Sequence, residues 1–126
     1  MSSALELTPE KIAAYRATAR RRREQEQPAI ARRREQAWVV ARRAAKLLRE
    51  QFNVTRVVAF GSLAHGACFT RWSDVDIAAW GIAPEDTFRA IGAVMDMDGE
   101  IEVNLVDVNT CRPSLLTAIE RDGVEL

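Results

Sequence analysis

The sequence predicts a small α/β domain, on three observations. At 126 residues, 48% hydrophobic and 29% charged, the chain has the size and composition of one domain with a modest core. Apolar residues recur at helical spacing through the first half. In the second half, short extended runs at 57–60, 75–80 and 101–108 alternate with helical ones.

Composition excludes several classes. There is no run of about 18 or more apolar residues, and MSSALELTPEK lacks the basic-then-apolar order of a signal peptide. The expectation is a soluble, cytoplasmic protein with no membrane association. Cys68 and Cys111 lie far apart without metal-ligand spacing, and His65 is the single histidine. A zinc site or disulfide framework is not expected. Net charge is zero, yet residues 1–56 hold 14 Lys+Arg and 6 Asp+Glu while residues 57–126 hold 4 and 12. The neutral total argues against direct nucleic-acid binding, and the division sets a basic surface beside an acidic one.

Thr8-Pro9-Glu10 reads as an N-cap, a proline at the first helical position and an acid in the first turn. Ile12, Tyr15 and Ala19 give that helix a thin apolar face, and Arg20 to Arg23 point all round it. Pro28 is expected to break or kink the helix. A second helix then runs to about Gln51, its stripe formed by Ala37, Val40, Ala41, Ala44, Leu47 and Leu48. The arginines at 20–23 and 32–34 read as solvated surface or a protein interface, because no aromatic residues interleave them as base-stacking platforms. Trp38 and Trp80 read as core or interface.

Val57-Val58-Ala59-Phe60 is a wholly apolar run ending at Gly61-Ser62, as in a buried strand entering a tight turn, with a helix expected after it. Residues 75–80 form a second strand, with Asp74 and Asp76 on one face and Val75 and Ile77 on the other. Residues 84–95 read as a helix and 96–100 as an acidic, solvated turn without the ligand spacing of a calcium loop. In the third strand Ile101, Val103 and Leu105 alternate with Glu102 and Asn104. A closing helix over 113–122 stops at Gly123.

The chemistry concentrates in Phe60-Gly61-Ser62, eleven residues, then Asp74-Val75-Asp76. Asp-x-Asp on a strand sets two carboxylates on one face, about 6–7 Å apart along the backbone. That suits Mg²⁺, which is held by one or two carboxylates together with water and substrate phosphates. Gly61 lets the backbone approach a phosphate, and the Ser62 hydroxyl with neighbouring N–H groups can donate to its oxygens. His65 is a candidate for a phosphate or ribose contact, the plainer reading being a solvent-facing loop histidine. Trp72 reads as a packing residue before it reads as a base-stacking one.

VVAFGSLAHG, WSDVDIAAWG, VNLVDV and CRPSLLTAIERDG together resemble the DNA polymerase beta nucleotidyltransferase superfamily, and more closely its minimal nucleotidyltransferase branch. The resemblance runs over about residues 57–124. It implies a nucleotidyltransferase fold with a small mixed sheet and packed helices over residues 53–126, preceded by a helical extension over residues 1–52. It further implies that Gly61 and Ser62 hold the triphosphate of ATP, that Asp74 and Asp76 bind catalytic Mg²⁺ as a two-ion site, and that the reaction is nucleotidyl transfer to a hydroxyl. Proteins of this branch commonly serve as antitoxins to a helical ribonuclease toxin of the HEPN class, which they silence by transferring AMP to a tyrosine. The resemblance therefore implies a HEPN-type partner and a homo- or hetero-oligomer.

One departure bears on activity. Where the family carries a third carboxylate, this chain has Asn104, which can offer a carbonyl oxygen but no charge and no base. Glu102 shares its strand face and is the candidate substitute, whereas Asp107 is expected on the opposite face. Two alternatives follow: an antitoxin that neutralises its partner by docking without chemistry, and a transferase acting on a small hydroxylated molecule of the aminoglycoside type.

Overall fold

A computed structural model describes residues 8–126. The first seven positions of the expected N-terminal extension lie outside the described residues, as do the side chains of residues 22–26, including Arg22 and Arg23, and of Ala67. Helix α1 (Pro9–Phe52) opens as expected: Thr8 is extended and its hydroxyl accepts from the Lys11 N–H at 3.2 Å. It closes at Asn53, which adopts the left-handed conformation (φ 54°).

The expected break at Pro28 does not occur, and one helix of 44 residues replaces the expected pair. A proline costs a helix one i→i−4 hydrogen bond. Pro28 and its neighbours Gln27 and Ala29 are exposed, so the ring displaces no packed side chain.

Four strands follow: β1 (Arg56–Phe60), β2 (Val75–Trp80), β3 (Val103–Asp107) and β4 (Val124–Glu125). They form one mixed sheet in the order β3-β2-β1-β4, with β2 and β3 parallel and the other pairs antiparallel. Helix α2 (Thr87–Met95), led in by a short 3₁₀ turn at Pro84–Asp86, connects the parallel strands, and α3 (Pro113–Asp122) precedes β4. β4 has no counterpart in the sequence reading: two residues carry no periodicity, and they are recruited by pairing with Val58 and Ala59.

The α1 stripe is largely as expected. Ala37, Val40, Ala41, Ala44 and Leu48 are fully buried, and Leu47 is half-buried. They pack with Val57, Ala59, Val75, Ile77, Ala79, Val103 and Leu105 of the sheet and Ala90 and Val94 of α2 into the main core. The opposite face holds a smaller cluster of Val58, Ala78 and Ile119, flanked by Phe60, Trp80, Val106 and Leu115.

Gly123 ends α3 at φ −73°, not in the left-handed form. Glycine is required there because a Cβ would collide with Val58 and the Ile119 carbonyl. Asp107 is buried on the α2 side, opposite Asn104 as expected; its carboxylate accepts from the Thr87 hydroxyl at 2.7 Å and the Asn109 N–H at 3.0 Å, tying β3 to the start of α2. No helix among the described residues is long and apolar enough to cross a membrane.

Candidate active site

Antiparallel pairing sets the end of β1 beside the start of β2, and parallel pairing sets the start of β3 beside it on the other side. Phe60, Asp76 and Asn104 are therefore lateral neighbours across three strands. They share the face that α3 covers, but α3 packs over Val58 and Ala78, one pleat further along. Asp76 and Asn104 are left half-buried at the edge of that cover.

Asp76 is the hub. One carboxylate oxygen accepts from the Asn104 amide at 3.2 Å. The other lies 2.7 Å from where a Cβ on Gly61 would stand. Gly61 has φ +69°, so both its backbone and the carboxylate beside it demand glycine. Burial pushes the Asp76 carboxyl above the usual carboxylate range, and the charge of Asp74 pushes it the same way. The Asn104 hydrogen bond opposes both by stabilising the ionised form. A carboxylate that is desolvated beside a second acid forms a site that a cation relieves.

The structure brings Gly61, Asp76 and Asn104 together, with Asp74 two residues before Asp76 and close enough to repel it. Ser62 follows Gly61 and is half-buried. Glu102 is exposed just before β3, and the one hydrogen bond found for it among the described residues is through its carbonyl, to the Val75 N–H at 3.0 Å. His65 donates its backbone N–H to the Gly61 carbonyl at 3.1 Å, and its ring reaches Asp122 at 3.7 Å. It thus links the loop to the end of α3. Asp122 is held below the usual carboxylate range, mainly by its hydrogen bond to Arg121.

Two expectations about the connecting loop are corrected. No α-helix follows Ser62; the chain makes turns and a short 3₁₀ helix at Gly66–Cys68, because Leu63 and Phe69 must both reach back into the main core. Trp72 does not pack: it is 76% exposed, with the Arg71 guanidinium over its ring at 4.8 Å. Arg33 and Arg34, read as surface, are half-buried against this loop. A signal was present: both continue the Ala37, Val40, Ala41 stripe one turn towards the N-terminus.

Among the described residues, no three His, Cys, Asp or Glu side chains gather in a way that could hold a metal. Asp74 and Asp76 nonetheless fit Mg²⁺, which needs one or two protein carboxylates when substrate phosphates and water complete its shell.

The family model described as the nucleotidyltransferase domain matches residues 41–119. No curated protein matches significantly. Among solved structures, a mutant of the MntA-HpeT toxin–antitoxin is 24% identical with a TM-score of 0.55, covering 68% of this chain and 69% of that one. A toxin–antitoxin structure with AMP-PNP is 22% identical with a TM-score of 0.53, covering 64% and 67%. The MNT antitoxin complex with tri-AMPylated Shewanella oneidensis HEPN toxin gives 19% identity and a TM-score of 0.53, covering 71% and 70%. These likenesses establish a shared fold. The matched span runs from the buried half of α1 to the buried Ile119 of α3 and takes in every strand that carries the site, so the chain belongs to the nucleotidyltransferase domain family.

Proposed function

We propose that this protein is a minimal nucleotidyltransferase that transfers AMP from Mg·ATP to a tyrosine hydroxyl of a HEPN-type ribonuclease partner and so acts as its antitoxin. The observation that carries the reading is Asp76, wedged between the Gly61 turn and Asn104 with Asp74 on the same strand face. Family membership supports the reaction class, and the neighbours described as toxin–antitoxin complexes, one with an AMPylated toxin, support the partner class. Helix α1 packs its C-terminal half on the sheet, and the proposed catalytic groups all lie in residues 53–126.

In this mechanism Asp74 and Asp76 would hold Mg²⁺, which would neutralise charge on the nucleotide phosphates. Gly61 and the Ser62 hydroxyl and N–H groups orient the triphosphate; His65 borders that turn. The acceptor oxygen bonds to the α-phosphorus, the bond to pyrophosphate breaks, and the acceptor proton leaves to a base. Asn104 cannot take that proton. Glu102, exposed on the same strand face as Asn104, is the candidate to take it in its place.

The test is incubation of the protein, coexpressed with its genomic neighbour, in labelled ATP and Mg²⁺, followed by mass analysis of both chains. An AMP adduct on the partner that disappears in Asp74→Asn and Asp76→Asn supports the reading. A second reading rests on Asn104 itself: its amide satisfies Asp76 without adding charge, as suits an antitoxin that binds nucleotide and neutralises its partner by docking alone. A stable complex with no adduct would favour it. Modification of an aminoglycoside-type small molecule in place of the partner would point to the small-molecule reading.

A further inference from the structure

Loop 61–74 carries Gly61, Ser62 and Asp74, and α1 grips it through two arginines. Arg33 Nη2 donates to the Ser73 carbonyl at 3.1 Å, immediately before Asp74. The Arg34 guanidinium lies on Gly66: a Cβ there would stand 2.9 Å from Nη2 and 3.0 Å from Cζ. Gly66 is thus the position at which the loop admits the arginine. By contrast Arg32, Arg42, Arg43 and Arg49 on the same helix are exposed.

Both grips are costly. The Nε atoms of Arg33 and Arg34 are buried with no hydrogen-bond partner, and among the described residues neither arginine has a carboxylate within ion-pair distance. Buried donors without partners and charges without counter-ions oppose folding. Leu63 and Phe69 already anchor the loop in the core, so stability alone gives little reason to keep the arginines. What they add is a fixed height for Ser73 and Gly66, and positive charge beneath the loop with no carboxylate of the described residues within ion-pair distance.

We propose that Arg33 and Arg34 are positioning residues: from α1 they hold the 61–74 loop at the height at which Ser62 and Asp74 engage the nucleotide, and they set positive charge beneath it. This rests on the nucleotidyltransferase reading above. The side chains act through the loop and need not touch phosphate.

The experiment compares the full chain with Arg33→Ala, Arg34→Ala and the exposed control Arg42→Ala. Amide hydrogen exchange without ligand and calorimetric binding of Mg·AMP-PNP are measured on each. The expected result is faster exchange confined to residues 62–74 in the first two variants. Their Kd should rise about tenfold, the worth of one charge-assisted hydrogen bond, with the control unchanged on both counts. Should the alanine variants fail to fold, Arg33→Met and Arg34→Met keep the buried stems and carry the same comparison. Unchanged exchange and unchanged Kd, with the parent protein binding AMP-PNP, overturn the proposal alone. Faster loop exchange in a protein that binds no AMP-PNP overturns the nucleotidyltransferase reading, and with it any role for the arginines towards nucleotide.

Discussion

The two faces of the sheet are built from the same strands and meet opposite demands. On the face towards α1 and α2, Val57, Ile77 and Val103 are fully buried under two helices, and the one charged residue, Asp107, has its carboxylate oxygens paired. On the other face Val58 and Ala78 are covered by the single helix α3, and one pleat further on Asp76 and Asn104 are left half-covered. Alternation along β2 sends Val75, Ile77 and Ala79 to the main core and turns Asp76 to the opposite face, where it ends up at the edge of the α3 cover. Burying the first face completely frees the second to keep carboxylates that oppose folding.

The largest effects that would sharpen this contrast are on the chemical face. Asp76→Asn should reduce AMP transfer by at least ~10³-fold, on the scale of losing a principal transition-state contact, as read by adduct formation on the partner. The same variant should be more stable by about 0.5–2 kcal/mol at pH 7. The Asp76 carboxyl is raised in the fold, so its ionisation opposes folding above that pKa, and the opposition disappears as pH falls through the unfolded carboxylate range. The stability gain should therefore shrink on acidification to about pH 3. A gain independent of pH would break the comparison.

On the packing face, Ile77→Ala should cost about 2–5 kcal/mol in chemical denaturation while leaving nucleotide affinity unaltered in the folded fraction. Gly123→Ala, which pushes a methyl into Val58 under α3, should cost about 1–3 kcal/mol, detected as a lowered Tm. Asn104→Asp tests the boundary between the faces. Replacing the amide donor by a second acid beside Asp76 should lower Tm at neutral pH and raise transfer about tenfold or more by restoring a general base. Unchanged turnover with a lowered Tm would favour the docking antitoxin. Smallest of all, Arg56→Ala should cost under about 1 kcal/mol, because its bonds to Glu120 and Glu125 are solvent-exposed.

How much of this was legible depended on whether a residue's fate was decided by near neighbours. β2 falls at the expected residues and α3 ends where Gly123 stops it, since period and capping are local signals. The continuity of α1 through Pro28 was not legible, because propensity penalises proline without knowing that its side of the helix is exposed. β4 was invisible because two residues have no period. Within the site, the opposition of Asp74 and Asp76 to Val75 followed from strand alternation, and the hydrogen bond from Asn104 to Asp76 followed only from the register of two distant strands. Arg33 and Arg34 were read by their charge, when their place on the apolar stripe was the better guide.

Helix α1 has a mechanical consequence. Its 44 residues span about 66 Å along the axis at 1.5 Å per residue, whereas a compact globule of 126 residues has a radius of gyration of about 14 Å. The half from Ala37 onward packs on the sheet, whereas the described side chains of α1 before Ile30 are exposed except for Ile12 and Ala19, so the helix runs well past the core it helps to build. A force on that free length is a torque about the packed half, and Arg33 and Arg34 sit where the two meet.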